Sequence, residues 1–306
     1  MILHVFDSDF VYRGQIENWI SLTWTEQYTD KGGFTLEVYD TDKYAGLLRR
    51  GWYLYRADRP AAMLIISVKR DTEANTITAG GYTALHLLTW RTIAHAYSVT
   101  NVESAVYGMI NAELRWLNVT TAAVKGLTAE YECEIEGEDL LEAAEEVLGQ
   151  TEYGIRANFD RANKTNVIEV YEGADRTYKD GVGGVVFSQE YGNLKQLTVS
   201  EDDDVYKNVA LVTGAANNDP RTVYYEYVSP EAIEAGAAQR RELLVTGEDQ
   251  GEDETNPDWQ KRQKQIGIKA LQEHKNALCF ECELSATEFG HRCDLGDKVT
   301  CKSQRY

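Results

Sequence analysis

The sequence predicts an α+β protein that is dominated by β-strands and whose domains are discontinuous. Three observations carry this prediction. Residues 1–98 read as short strands between turns, residues 99–184 hold two amphipathic helices and a hairpin, and residues 185–306 return to strands. A chain that leaves a β-structure, builds another unit and then returns usually forms discontinuous domains.

In residues 1–98, alternating hydrophobic residues indicate strands. The run "FTLEVYD" places Phe34, Leu36 and Val38 on one face, after a glycine-containing turn at 29–33. Residues 53–82 read as three more strands, and Gly80-Gly81 marks a strand end or a bulge. Several short strands at this spacing predict a barrel or a sandwich.

Residues 99–184 are predicted to form an α+β unit of two helices and a hairpin. Thr100 to Glu103 matches the capping box that opens a helix. A second helix, within 137–150, places Leu140, Ala144, Val147 and Leu148 on one face. Two strands on either side of the turn at 161–164 complete the unit.

Residues 185–306 are predicted to return to strands. Those within 185–228 are expected to complete the first β-domain of residues 1–98. Ser229-Pro230 predicts the start of a short helix, because proline is favoured in the first helical turn. A longer helix is expected at 257–275, after the acidic loop 247–258, and a final hairpin is expected to close the chain.

The charge of the chain argues against several functions. With 50 acidic and 31 basic residues the net charge is −19, which opposes stable binding to nucleic acids and to anionic membranes. A structure that conducts DNA without holding it would, by contrast, favour an acidic wall. The sequence shows no apolar run of membrane-spanning length and no signal peptide, so we expect no membrane insertion and no structural disulfide.

Four cysteines and one histidine fall within residues 279–301, which suggests a zinc site, a disulfide staple or a pair of strands that carry thiols. The first two, Cys279 and Cys282, lie in the strand-like run "ALCFECELS". Residues three apart on a strand point to opposite faces, so these two thiols cannot share one ion. We therefore predict no metal site here and a core position for Cys282, beside Leu278, Phe280 and Leu284.

The sequence contains no recognisable catalytic motif, so we predict no catalytic residue and no cofactor. His86 and His95 flank an apolar segment and are interpreted as polar edges of packed structure rather than as general bases. The acidic run Glu201 to Asp204 could gather oxygen ligands for Ca²⁺, but it lacks the spacing of a calcium-binding loop and is interpreted as a solvated loop.

Seven segments together resemble one family. They are "ISLTWTEQYTDKGGFTLEV", "GGYTALHLLTWRTI", "VYEGADRT", "VVFSQEYGNLKQL", "DDVYKNVALVTG", "RRELLV" and "DLGDKV". In this order they are similar to the ReqiPepy-type tail proteins of siphophages and prophages, which are related to the hub part of tail-associated lysins. The combination of "EYGNL", "YKNVALV" and "LGDKV" carries most of the resemblance.

The resemblance implies a structural role in the phage virion tail, with assembly in the cytoplasm of the bacterial host. It implies a homotrimer with two tube-like β-barrel domains per subunit and an inserted α+β unit. Six barrels would form a pseudo-hexameric ring that caps the tail tube or distal-tail ring and helps to close or gate the DNA channel. The implied neighbours are the tape-measure protein and a tail fibre or receptor-binding protein.

The resemblance also gives expectations for individual residues. Gly192 to Leu194 would form a turn between domains, and Gly296-Asp297 a tight hairpin turn before the last barrel strand. A trimer would cover Tyr224, Tyr225 and Tyr227, and Arg240-Arg241 could pair with acids across a subunit contact. Family members usually continue past "LGDKV" with further strands, so the second barrel is expected either to close differently or to be truncated.

Two other functions remain open at the sequence level. The first is a cell-wall-degrading enzyme associated with the tail, which would need a cleft that gathers acids, cysteine and histidine or a metal. The second is a carbohydrate- or Ca²⁺-dependent binding module that uses tyrosine and tryptophan platforms.

Overall fold

The computed structural model describes all residues except 96, 136–138, 150, 180–182, 203, 218, 275–276, 285–287 and 303–306. For residues 132–134, 201–202, 219–224, 231 and 277–280 it describes the backbone alone. The architecture is a β-dominated α+β fold, as the sequence predicts. No helix in these ranges is long and apolar enough to span a bilayer.

The chain forms two compact units. The first unit contains residues 1–130, 134–186 and 287–300, and the second contains residues 131–133, 187–286 and 301–306. The segment 99–184 therefore belongs, apart from three residues, to the same compact unit as residues 1–98. The three-part domain division derived from the sequence stays a prediction.

The first unit is built around an antiparallel sheet of seven strands. Along the chain these strands are β1 (Leu3–Phe6), β2 (Tyr12–Ile16), β3 (Ser21–Thr25), β4 (Gly33–Tyr39), β5 (Tyr53–Tyr55), β6 (Ala62–Asp71) and β7 (Thr76–Thr83). A short helix, α1 (Asp42–Leu47), connects β4 to β5. All seven strands lie before residue 84, so the expected completion of this sheet by strands within 185–228 is not seen in the described part of the chain.

The strand order requires this sheet to curl. The order is β2-β1-β5-β6-β7-β4-β3, so β2 and β3 form opposite edges although only residues 17–20 separate them in the chain. A flat seven-stranded sheet would hold its edges about 29 Å apart, from six spacings of about 4.8 Å. The connection from Ile16 to Ser21 reaches at most about 18 Å. The edges must therefore approach each other.

The core of the first unit agrees with this curl, because strands from both edges contribute to one hydrophobic cluster. Its buried members include Leu3, Ile16, Leu36, Leu54, Met63 and Ile77, and Leu22 and Trp24 of the edge strand β3 pack against it. The predicted alternation in β4 is confirmed, since Phe34, Leu36 and Val38 are all buried.

The predicted irregularity at Gly80-Gly81 is also present. Gly81 pairs with Ile65 and Gly80 pairs with Ser67, so β6 carries one extra residue, Ile66, opposite the two glycines. A Cβ atom on Gly81 would lie 1.9 Å from the carbonyl oxygen of Leu64. Only glycine fits this close approach of two strands.

The elements that follow form the predicted α+β segment, which lies in the first unit apart from residues 131–133 of β10. After the 3-10 helix Ala84–Trp90 come β8 (Tyr97–Asn101), α2 (Val102–Glu113), β9 (Val119–Thr121), β10 (Glu130–Ile135), α3 (Leu140–Gly149), β11 (Tyr153–Asp160) and β12 (Thr165–Glu172). The hairpin of β11 and β12 is antiparallel, and β9 joins β12 in parallel. The predicted apolar face of α3 is confirmed, because Leu140, Ala144, Val147 and Leu148 are buried.

The predicted capping box is wrong. The N-cap of α2 is Asn101, whose side chain accepts a hydrogen bond from the Ser104 amide, and Thr100 belongs to β8. Glu103 is fully buried, and its carboxylate accepts hydrogen bonds from the amides of Lys125, Gly126 and Leu127 at 2.7–2.9 Å. The Glu103 carboxylate is therefore occupied by the three amide groups of the loop after α2. It is not available to cap the amide groups at the start of the helix.

Strands dominate the rest of the chain. They are β13 (Val186–Ser188), β14 (Leu194–Asp202), β15 (Val209–Ala216), β16 (Asp219–Val228), β17 (Glu242–Thr246), β18 (Ala277–Leu284) and β19 (Thr300–Lys302), with helices α4 (Pro230–Ala235) and α5 (Asn256–Gln272). The predicted start of α4 is confirmed, because Ser229 caps it and Pro230 follows. The longer helix predicted at 257–275 corresponds to α5, which Thr255 caps.

In the second unit, β15 lies between β16 and β17, and α5 packs on this sheet. Strand β18 pairs with β14 over eight register positions. The final hairpin expected from the sequence is therefore not formed by the described residues, since the partner of β18 lies before it in the chain.

Residues expected at subunit contacts also have partners within this unit. Tyr225 and Tyr227 are half-buried and pack against the cluster of Ala210, Val212 and Leu271, and their further coverage by a partner subunit stays a prediction. Arg240 pairs within the chain, with Glu226 at 2.5 Å and Glu242 at 2.6 Å.

Candidate functional site

The turn at residues 294–297 is the centre of a polar arrangement that joins distant segments of the first unit. Gly296 adopts a φ of +86°, a left-handed conformation that favours glycine. The Asp297 amide donates to the Asp294 carbonyl, and the Asp297 carboxylate accepts from the Asp294 amide at 2.8 Å. The predicted tight turn at Gly296-Asp297 is therefore present, and it docks on residues 173–176.

Tyr28 anchors this turn to the hairpin of β11 and β12. Its hydroxyl donates to the carbonyl of Glu152 at 2.7 Å and accepts from the amide of Gly173 at 3.2 Å. Its ring lies so close to Gly296 and Gly154 that a Cβ on either glycine would come within 2.2 and 2.3 Å of a ring carbon. The tyrosine thus occupies a slot that exists only because its neighbours have no side chains.

Asp297 connects the turn to the segment after β12. Its two carboxylate oxygens accept from the Ala174 amide and the Arg176 guanidinium, each at 2.7 Å. Burial tends to raise the pKa of Asp297, but the hydrogen bonds from Asp294, Ala174 and Arg176 outweigh it and lower that pKa. We call Tyr28, Gly173, Arg176, Gly296 and Asp297 the clasp.

Arg59 fixes the same segment from the loop between β5 and β6. The Arg59 side chain is 6 % exposed, and its guanidinium contacts both oxygens of Glu26 at 2.6–3.1 Å and pairs with Asp294 at 3.1 Å. It stacks over the ring of Phe289, 4.3 Å from the centroid. Glu26 accepts a further hydrogen bond from the Trp24 indole at 3.0 Å.

A small cavity lies beside this ion pair. Its polar lining includes Glu26, Asp30, Arg59, Thr83, Arg156 and Asp294. Arg59 is paired with two carboxylates, and Arg156 binds Glu169 at 2.7 Å. Ion pairs of this kind hold chain segments in a fixed arrangement, and they leave no unpaired charge on Arg59 or Arg156 to polarise a substrate. The site therefore joins segments of the first unit.

The cysteines and the histidine of residues 279–301 do not assemble a site in the described residues. Cys282 is exposed, which contradicts the expected core position, whereas Cys293 is buried and Cys301 is half-buried. His291 is exposed. The side chain of Cys279 lies outside the described residues. Within the described side chains no group of three or more histidine, cysteine or acidic residues could hold a metal ion.

The other residues considered from the sequence lie apart. His86 stacks with Tyr82 at a centroid distance of 4.7 Å, and burial lowers its pKa. His95 is 81 % exposed, with Nδ1 3.6 Å from Glu113. The calcium interpretation of Glu201 to Asp204 rests largely on side chains outside the described residues. Gly192 adopts a φ of +66°, which is compatible with the expected turn.

Helix α3 carries a carboxyl group with an unusual titration. One oxygen of Glu145 is buried without a hydrogen-bond partner, and the residue lies against Asp30. Burial, together with the hydrogen bond and negative charge of Asp30, raises the pKa of Glu145 to about 8. Nearby Lys31 opposes this effect and Asp139 adds to it.

We expect this group to make the first unit less stable as the pH rises. In the unfolded chain Glu145 ionises near its ordinary pKa of 4.5, whereas in the folded protein it ionises near 8. Its favourable contribution is complete below pH 4.5 and is lost as the pH rises through 8. Thermal melts of the wild type and Glu145→Gln at pH 5 and pH 8 test this. The melting temperature of the variant minus that of the wild type should be larger at pH 8 than at pH 5. An equal difference at both pH values would contradict the assignment.

Comparison with known proteins identifies the family. The family model described as "Siphovirus ReqiPepy6 Gp37-like protein" matches residues 2–306. The chain belongs to this family. The predicted resemblance is confirmed, and the membership supports a structural, non-enzymatic role in a phage tail. No curated protein matches the chain significantly.

Solved structures of tail proteins share the fold of this Gp37-like protein. A tail protein from Neisseria meningitidis MC58 matches with a TM-score of 0.52 and 14% identity, over 85% of this chain and 74% of that one. The prophage tail protein gp18 from Listeria monocytogenes EGD-e gives 0.51 and 11%, over 81% and 72%. The 43 kDa tail protein of prophage MuSo2 from Shewanella oneidensis gives 0.53 and 11%, over 90% and 80%.

The clasp brings together three of the segments in which the Gp37-like resemblance was noted. Tyr28 belongs to "EQYTDKGG", Gly173 and Arg176 to "VYEGADRT", and Gly296 and Asp297 to "DLGDKV". The segments and the turn were predictable from the sequence, but the contacts of Tyr28 and Arg59 with this turn were not. The available signal was the pair of isolated glycines, Gly173 and Gly296, next to charged residues.

Proposed function

We propose that this Gp37-like protein is a hub at the tail tip, where it caps the tail tube or distal-tail ring and helps to close the DNA channel. The observation that carries the proposal is the curled seven-stranded sheet in a chain of this tail-protein family. The described strands β2 and β3 do not pair with each other, so this sheet is open, but its curl brings the two edges toward the closure that a tube-like ring needs.

In this proposal the curled sheet supplies one tube-like barrel of each subunit, and strands of the second unit supply the other. Three subunits then form a pseudo-hexameric ring. The net charge of −19 supports a channel through which DNA slides without binding. The tape-measure protein and a fibre or receptor-binding protein are the proposed neighbours in the virion, which is assembled in the host cytoplasm.

Labelling of intact tails tests the proposal. We expect an epitope-tagged chain to co-purify with tails and to place immunogold label at one end of the tail, opposite the head. Quantitative mass spectrometry should give three copies per tail. Label along the whole tail shaft, or loss of the chain from purified tails, would contradict the hub role. Muralytic activity that one point mutation abolishes would support the enzyme alternative instead.

A further inference from the structure

Thr83, at the end of β7, carries a buried hydroxyl group that has no hydrogen-bond partner among the described residues. The residue is 5% exposed, and its Oγ1 atom is buried. Thr83 directly precedes the 3-10 helix Ala84–Trp90, a position where a threonine hydroxyl usually caps the first amide groups. Here the side chain makes no capping hydrogen bond. Folding therefore buries a polar group that the helix does not use, which is unfavourable unless another partner meets it.

Thr83 lines the small cavity beside the Arg59 ion pair. About 20 Å³ of this cavity is open to the centre of a water molecule. One water needs about 10–15 Å³ by that measure, so the cavity has the size for a bound water. Tyr171, which is 7% exposed, lines the same cavity. Burial raises the pKa of Tyr171, so its hydroxyl stays protonated and able to donate a hydrogen bond.

The charges around this cavity are balanced, which argues for a neutral ligand. Arg59 is paired with Glu26 and Asp294, and Arg156 is paired with Glu169. The acidic, histidine and cysteine side chains that the structure describes form no group of three or more that could hold a metal ion. A small neutral molecule that both donates and accepts hydrogen bonds therefore fits this lining better than an ion does.

We propose that this cavity binds one internal water molecule and that the Thr83 hydroxyl is one of its hydrogen-bond partners. Buried waters typically make about three hydrogen bonds to polar groups that the protein itself leaves unpartnered. Tyr171 and the carboxylates of Glu26 and Asp294 line the same space and supply the other partners. The water is thus part of the structure that joins segments of the first unit. This inference does not depend on the proposed hub function.

High-resolution crystal structures of the full chain test the site directly. We expect the wild type to show an ordered water within hydrogen-bond distance of Thr83 Oγ1. Thr83→Val has nearly the same shape without the hydroxyl, so the water should be absent from it. Thr83→Ser keeps the hydroxyl and should keep the water.

Thermal melts give a second, independent measurement, because the sign of the change differs between the two cases. If a water satisfies the hydroxyl, Thr83→Val loses that interaction and should melt about 2–4 °C below the wild type. If nothing satisfies the hydroxyl, the same variant removes an unpartnered polar group and should melt higher. The matched control is Thr165→Val. Thr165 is 8% exposed, also has an unpartnered buried Oγ1, and lies on β12 outside the lining of this cavity, so its variant should show no loss.

Each outcome decides the inference. A wild-type structure without this water, or a Thr83→Val structure that retains it, overturns the proposal. A higher melting temperature of Thr83→Val, or an equal loss in Thr165→Val, also overturns it, as does a density peak with the ligand distances of a metal ion. If Thr83→Val does not fold, the wild-type and Thr83→Ser structures still show whether the water meets this hydroxyl. Loss of both the water and melting temperature in Thr83→Val alone supports the proposal.

Discussion

Substitution of Gly296 by alanine is expected to destabilise the first unit by about 3 kcal/mol or more. Two physical effects add. The backbone φ of +86° is unfavourable for any residue with a Cβ, at about 1–2 kcal/mol. The new methyl group would also lie 2.2 Å from the ring of Tyr28, and overpacking of this kind typically costs a further 1–3 kcal/mol. Urea unfolding of the purified chain measures the change.

Gly51→Ala is the matched control for this prediction. Gly51 also lies in the first unit and has a φ of +80°, but nothing lies within 4 Å of the position of its Cβ. It should therefore show the backbone cost alone, about 1 kcal/mol. Equal losses in the two variants would mean that the slot around Tyr28 does not constrain Gly296.

Replacement of Arg59 by methionine is expected to lower the free energy of unfolding by about 3–5 kcal/mol, because it leaves a buried charge without its partner. Arg59 is 6 % exposed and Glu26 is 10 % exposed, so water cannot replace the lost contacts of the Glu26 carboxylate. The loss should exceed that of an exposed pair by several fold. Lys179→Ala, which breaks the contact with Asp175 in a pair whose side chains are 71% and 46% exposed, should change stability by less than about 1 kcal/mol.

A double-mutant cycle separates the charge effect from packing. The variant Glu26→Gln, Arg59→Met removes both charges and should recover part of the stability that Arg59→Met loses. A coupling energy near zero would show that the guanidinium acts through its stacking on Phe289 alone. The two single variants and the double variant can be compared with the wild type by urea unfolding at pH 7.

Local structure was predictable where the signal repeats within a few residues. The alternation of Phe34, Leu36 and Val38 and the apolar face of α3 follow from the periods of strands and helices. The cap at Ser229 is equally local. Errors arose where two local solutions compete: Thr100 matched a capping box, but Asn101 caps α2 because Glu103 turns to the loop at 125–127.

Burial was less predictable than secondary structure. Strand parity assigned Cys282 to the core, yet it is exposed, because parity gives two faces and not which of them is covered. Tyr225 and Tyr227 were assigned to a subunit contact, and part of each side chain is already covered within the unit by a cluster that includes Leu271 of α5. In both cases the answer depends on an element distant in the chain.

The sequence by itself determined the α+β class, the tail-protein family, most helices and strands, and the turn at Gly296. These follow from periodicity, capping, glycine geometry and segment order, which act along the chain. Only the tertiary structure decided that β2 and β3 are opposite edges of a curled sheet and that Tyr28 fills a slot between Gly154 and Gly296. Such contacts join residues far apart in the chain, and their geometry is fixed only when the whole unit packs.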